Sequence, residues 1–268
     1  MNVKAVVKVM NFHALLRVDA SRKLSEMYST MQDELEAMMS IILNNDNLKL
    51  DKLLKLPDPK LPVLRIYVGS DLGFCGGVNT SVGAELARDN NSEKIVLGKK
   101  VRKSREVSLY LTQDEFENDT SKVEEYLYRA VKERPWSAIE LVYNHFYNLS
   151  SIKPIVKRIY PVDTKDINNA DNTSNAYVRE QVDFYIEGDA PALLEDMIIA
   201  FLDYEFKIAM ASAKASENIM RQNATSESLK KLDEMEEEQI RVDRKIKNQK
   251  GFQKTIDSFV KQKCLQDN

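Results

Sequence analysis

The 268-residue sequence predicts an α/β domain inserted between long N- and C-terminal helices that form an antiparallel coiled coil. Three observations predict it. Residues 1–45 carry a continuous four-three spacing, apolar at all but two of its positions, without Gly or Pro. The middle of the chain alternates short β-rich and helical runs, and from Ala192 onward no proline occurs and Gly251 is the only glycine. The expected organisation is a helix over 1–45, an α/β domain over 62–187 and a long helix over 190–268.

In the first helix the seam reads Val3, Val7, Met10, Ala14, Leu24, Tyr28, Met31, Leu35, Met38 and Ile42, with Arg17 and Ser21 as its polar positions. At 1.5 Å per residue this is a rod of roughly 60 Å, and a period of 3.5 implies a left-handed coiled coil. The cluster Asn44-Asn45-Asp46-Asn47 should end it, because short polar side chains compete for the backbone hydrogen bonds of a helix. Pro57, Pro59 and Pro62 then enforce extended chain.

Within the inserted domain, Val63–Val68 reads as a strand, followed by a turn from Gly69 to Gly77 and a helix to about Arg88. Ile95–Leu97, Glu106–Leu111 and Ala138–Phe146 read as further strands, with a helix near 121–132, and Ile155–Val162 is placed beside the last of them. Such alternation implies a sheet with helical crossovers and both faces covered. Residues 163–180 are polar without period and read as a loop, before a short extended piece at Val182–Ile186.

Asp189 is a natural N-cap for the final helix, with Pro191 in its first turn. Toward its end Leu232, Met235, Val242, Ile246, Ile256 and Val260 fall on heptad positions, with Gln239, Gln249 and Gln253 filling the rest. An acidic run at 233–238 precedes a basic run at 241–250, a spacing that permits i,i+4 pairs.

Composition narrows the chemistry. Two cysteines and two histidines leave little material for a disulfide framework, a zinc site or a Ser-His-Asp triad. A net charge of −3 argues against nucleic acid as a partner. No stretch approaches 18 uninterrupted apolar residues and the N-terminus lacks the pattern of a signal peptide, so no membrane span and a cytoplasmic location are expected. Carboxylate or lysine chemistry remains, or no chemistry.

A strand, a glycine-rich turn and a helix start is also how phosphate is cradled, but the spacing Gly69, Gly73, Gly76 matches neither the P-loop nor the dinucleotide fingerprint, and Asp71 would repel an anion. The run Ser70-Asp71-Leu72-Gly73-Phe74-Cys75-Gly76-Gly77-Val78-Asn79 instead resembles the S-D-R-G-L-C-G-G-x-N signature of the γ subunit, the central stalk, of F-type rotary ATPases. Glu205 and Met210 keep the separation of that family's E-x-x-x-R-M, and Arg22-Lys23-Leu24-Ser25 before Met27 echoes its N-terminal Q-K-I-T-x-A-M. Leu72 and Ala209 stand where the family has arginine.

The resemblance implies a rotor shaft that catalyses nothing and holds no cofactor or metal. Its expected partners are α and β subunits, as an α3β3 ring that binds the ATP, and an ε-like subunit or other foot partner. It implies a foot-domain partner contact at Ser70, Asp71, Gly73, Cys75, Gly76 and Gly77, a shaft seam through Val3, Val7, Met10, Leu24, Met31, Leu35, Val242, Ile246, Ile256 and Val260, and a ring contact at Glu205 and Met210. A rotor driving gliding or other machinery that pumps no protons, a static coiled-coil adaptor, and an enzyme using the glycine loop for a phosphorylated ligand are the competing readings.

Overall fold

The computed structural model describes residues 3–43, 56–101, 106–148, 151–162 and 187–266. Helix α1 spans Val3–Leu43. The inserted part contains β1 (Val63–Val68), α2 (Val78–Arg88), β2 (Glu93–Leu97), β3 (Leu109–Leu111), α3 (Gln113–Asn118), α4 (Ser121–Lys132), β4 (Ala138–Asn148) and β5 (Ser151–Tyr160). Helix α5 then runs Ala190–Gln266. The expected helix stop at Asn44–Asn47, the loop at 163–180 and the extended piece at Val182–Ile186 lie outside the described residues.

The strands form one sheet in the order β3-β2-β1-β4-β5. β1 lies parallel to β2 and β4, β2 parallel to β3, and β5 returns antiparallel on β4. The inner strands are nearly continuous apolar runs because both of their faces are covered. On one face Leu64, Ile66, Ile95, Leu97, Ile139 and Leu141 pack with Leu127 of α4, Leu202 and Phe206 of α5, and Met39 and Ile42 of α1. On the other, Tyr67, Val96 and Val142 lie under Val82 and Leu86 of α2. Below α2 that face turns polar: Glu140 accepts from Arg65 at 2.9 Å and Arg158 at 2.9 Å on the neighbouring strands.

Helix α3 is absent from the sequence expectation. Its start is a capping box, in which Glu115 N–H donates to the Thr112 hydroxyl at 3.0 Å and Thr112 N–H donates to the Glu115 carboxylate at 2.8 Å. Phe116 meets Phe206 edge-on at 5.3 Å, which ties α3 to α5. Trp136 is buried, stacked on Tyr126 at 5.6 Å, and donates its indole N–H to Glu93 at 2.6 Å.

α1 and α5 pair antiparallel. Lys4 meets Asp233 and Glu236, each at 2.5 Å, Asn11 donates to Thr225 at 2.9 Å, Tyr28 faces Tyr204, and Gln32 donates to Glu205 at 2.7 Å. The seam departs from the one the apolar pattern suggests. Ala14, Ser21 and Ile42 are buried and Val7, Tyr28 and Leu35 half-buried, so one of the two heptad rows is as expected. The other row is shifted by one residue, to Asn11, Val18, Ser25, Gln32 and Met39, while Val3, Leu24, Met31 and Met38 are exposed and Met10 sits half-buried at the edge. The reason is polar: α5 offers the Gln222 carbonyl, Thr225, Ser226 and Glu205 to Asn11 and Gln32, and a reading by hydrophobicity passes over such positions.

The far seam also needs correction. α1 begins opposite Asp233–Glu236, so α5 runs on for 30 residues, or about 45 Å, beyond its partner helix. Val242, Ile246 and Ile256 are exposed there and pair with nothing in α1, and the Val260 side chain lies outside the described residues. Every described side chain from Asp233 to Ser258 is exposed.

Candidate functional site

The glycine loop leaves the C-terminal end of β1 and is held by its own side chains. Asn79, on the first turn of α2, accepts from Ser70 N–H at 2.9 Å and donates to the Ser70 hydroxyl at 2.8 Å and to the Cys75 sulfur at 3.2 Å. Ser70 Oγ donates to the Leu72 carbonyl at 2.8 Å. Ser70 and Cys75 are therefore buried staples of the loop. Leu72 and Phe74 are its exposed tip at 53% and 70%, and Phe74 adopts φ +58°.

Asp71 ties this loop to the next two. Its carboxylate accepts from Lys99 N–H at 2.6 Å and from Gln113 and Asp114 N–H at 2.8 and 3.3 Å, at the start of α3. Gln113 Nε2 donates to the Gly69 carbonyl at 2.7 Å. Asp71 thus accepts from backbone N–H groups of the two neighbouring loops and braces the glycine loop against them.

The loop is seated on α5. Gly76 has φ +57°, and a Cβ there would lie 2.6 Å from the end of the Met220 side chain. Arg221 donates to the Gly73 carbonyl at 3.3 Å and to Asn218 at 2.9 Å, and it pairs with Glu217 one turn earlier. Burial pushes the Glu217 carboxyl up, and the Arg221 guanidinium opposes that shift. Beside this pair a cavity of about 420 Å³ opens between shaft and domain, lined by Arg17, Asp71, Gln113, Glu117, Lys214 and Glu217 among others. Lys214 closes one side of it with an ion pair to Glu117 of α3.

The residues expected to face partners divide accordingly. Asp71, Gly73, Gly76 and Gly77 build the loop and its seat, on the side of the sheet that faces the extended end of α5. Glu205 and Met210 are buried, which removes them from any outer surface. Glu205 instead accepts from Gln32 and from Lys157 of β5 at 2.6 Å, so that α1, the sheet and α5 meet at one carboxylate. The E-x-x-x-R spacing expected around Glu205 is found as an ion pair at Glu217 and Arg221, a signal that the i,i+4 rule makes available in the sequence. His145 is half-buried against Ser212 at 3.2 Å, and burial lowers its pKa.

A family model described as ATP synthase matches residues 1–249. The chain belongs to that ATP synthase family. The relatives it matches are γ chains: the ATP synthase gamma chain of Clostridium perfringens is 27% identical over 251 residues, covering 87% of this chain and 83% of that one. The mitochondrial ATP synthase subunit gamma of Schizosaccharomyces pombe is 29% identical over 204 residues, covering 69% and 64%. Among solved structures, the central stalk and c-ring of the Tetrahymena thermophila mitochondrial ATP synthase matches with a TM-score of 0.59 at 17% identity, over 83% of this chain and 99% of that one, and shows the shared fold. This is a γ-family chain. Among the described residues no helix is long and apolar enough to cross a membrane.

Proposed function

We propose that this γ-family chain is the central shaft of a rotary ATPase, turning inside an α3β3 ring and coupling ATP turnover there to rotation. The observation that carries the reading is the end of α5, about 45 Å of helix that outruns α1. It keeps Ile240, Val242, Ile246, Phe252 and Ile256 exposed at 40% or more. Apolar side chains on an unpartnered helix call for a surrounding partner, and interspersed charge on every side suits a sleeve contact that slides. The glycine loop, expected from the sequence to meet the foot partner, faces the same direction as that end of α5, and in this reading Leu72 and Phe74 are offered to the ring instead. In this reading the chain itself catalyses nothing, nucleotides belong to the ring, and an ε-like foot partner meets the opposite end of the inserted domain. The complex sits at the cytoplasmic face of a membrane.

Native mass spectrometry of the complex isolated from its own cells tests the reading. One copy of this chain with three copies each of two nucleotide-binding subunits supports a shaft. A homodimer, or a monomer free of such subunits, overturns it.

A further inference from the structure

The cavity between shaft and inserted domain, of about 420 Å³, is built by three parts of the chain. Lys214, Glu217, Asn218 and Arg221 repeat at three and four and form its α5 side. Arg17 and Ser21 come from α1, and Gln113, Asp114 and Glu117 come from α3 beside the glycine loop. A polar space of this size at a junction of elements has room for a small metabolite.

Most of the polar side chains around it are engaged with one another. Lys214 pairs with Glu117, and Arg221 with Glu217. Asn218 donates to the Lys214 carbonyl at 2.8 Å and accepts from Arg221 at 2.9 Å, while Gln113 donates to the Gly69 carbonyl at 2.7 Å. Asp71 accepts three backbone N–H groups. Three lining side chains are left over: the Arg17 guanidinium, the Ser21 hydroxyl and the Asp114 carboxylate have no partner among the described residues. Arg17 and Asp114 are exposed, but Ser21 is only 9% exposed, and a hydroxyl buried to that degree is ordinarily hydrogen-bonded.

These three groups define a ligand. Arg17 and Ser21 are one helical turn apart on α1, so two donors converge on one acceptor, and a planar carboxylate matches the guanidinium fork. Asp114 is an ionised acceptor on a different element and calls for an ammonium. A ligand of one sign is disfavoured: Asp71, Asp114, Glu117 and Glu217 repel a plain anion, and Arg17, Lys214 and Arg221 a plain cation. A single ion pair at an exposed side chain is weak, so neither end holds the molecule alone.

We propose that this cavity binds a small zwitterion of the amino-acid class, with its carboxylate on Arg17 and Ser21 and its ammonium on Asp114. The bound molecule bridges α1 to α3 and fastens the inserted domain to the shaft at a second point, beside the ion pair of Lys214 with Glu117. The site is built from this chain alone and does not rest on the ring reading.

The test titrates the purified full chain with each of the common amino acids, followed by saturation-transfer NMR. At least one should bind with a Kd below about 1 mM. Succinate, which has carboxylates alone, and putrescine, which has ammonium groups alone, should bind at least tenfold more weakly. Arg17→Ala and Asp114→Asn, both at exposed positions, should each weaken that amino acid at least tenfold while melting within about 2 °C of the unmodified chain. Binding of none of the amino acids, equal binding of succinate or putrescine, or affinity that either variant leaves unchanged would each overturn the proposal.

Discussion

Replacing Gly98 by alanine probes the backbone crossing on which the glycine loop rests. Gly98 has φ +113°, and a Cβ there would lie 2.6 Å from the carbonyl carbon of Gly69, 2.8 Å from its oxygen and 2.8 Å from the nitrogen of Ser70. None of these atoms is the end of a flexible side chain, so the clash is relieved only by moving the ends of β1 and β2 apart. The φ costs an alanine about 1–2 kcal/mol and the displaced backbone about 1–3 kcal/mol, together about 2–5 kcal/mol. In a chain of this size each kcal/mol moves the midpoint by about 2–4 °C, so the variant should melt roughly 4–20 °C lower. Trp136, the only tryptophan and buried in the inserted domain, reports the transition by fluorescence. Gly83→Ala is the internal reference: a Cβ at Gly83, inside α2, meets nothing within 4 Å, and the change should stabilise by about 0.5–1 kcal/mol through helix propensity. Opposite signs are expected from the same chemical change. Equal midpoints for the two variants would refute the crossing geometry.

Glu205→Ala should cost about 2–4 kcal/mol, because it removes the acceptor of Gln32 and Lys157 from a buried junction, and amide exchange in α1 from Thr30 to Ile42 should quicken, whereas unchanged exchange there would count against the junction. Asn79→Ala, in a Cys264→Ser background, should open the loop so that a thiol reagent modifies Cys75 at least tenfold faster, and an unaltered rate would mean that the three Asn79 bonds do not close it. Burial works to raise the Asp89 carboxyl, but donation by Ser92, Tyr67 and the N–H groups of Asn91 and Ser92 outweighs it and brings the pKa to about 2. A depressed folded-state pKa means that its contribution to stability is present above the usual carboxylate value of about 4 and is lost as pH falls toward 2. Tyr67→Phe removes one of those donors, so the acid-unfolding midpoint followed through Trp136 should move to higher pH, and an unmoved midpoint would contradict the linkage.

Much of the architecture was legible because the signals that encode it are local. A four-three apolar spacing over 41 helical residues, strands at Val63–Val68 and Ala138–Asn148, and a start at Ala190 beside Pro191 each rest on neighbours a few positions apart. Helix α3 was missed although Thr112 and Glu115 have the capping-box spacing, since the apolar run Leu109–Leu111 reads as a strand and masks the start that follows it. The seam was half legible. Hydrophobicity finds Val7, Ala14 and Leu35, but Asn11 and Gln32 are seam residues only because Thr225 and Glu205, more than 170 positions away, satisfy them.

The candidate site divides along the same line. Ser70, Cys75 and Asn79 stand out in a ten-residue motif, and their hydrogen bonds close within it. What the motif leans on was not visible: Asp71 braces Lys99 and Gln113, and Arg221 holds Gly73 from the far side of the chain. By itself the sequence determined the helix–domain–helix order and the loop, because periodicity, capping and turn chemistry act over a few residues. The tertiary structure decided which polar groups are buried, where α1 stops along α5, and which apolar stripes are left facing outward, because desolvation and pairing depend on groups brought together from opposite ends of the chain.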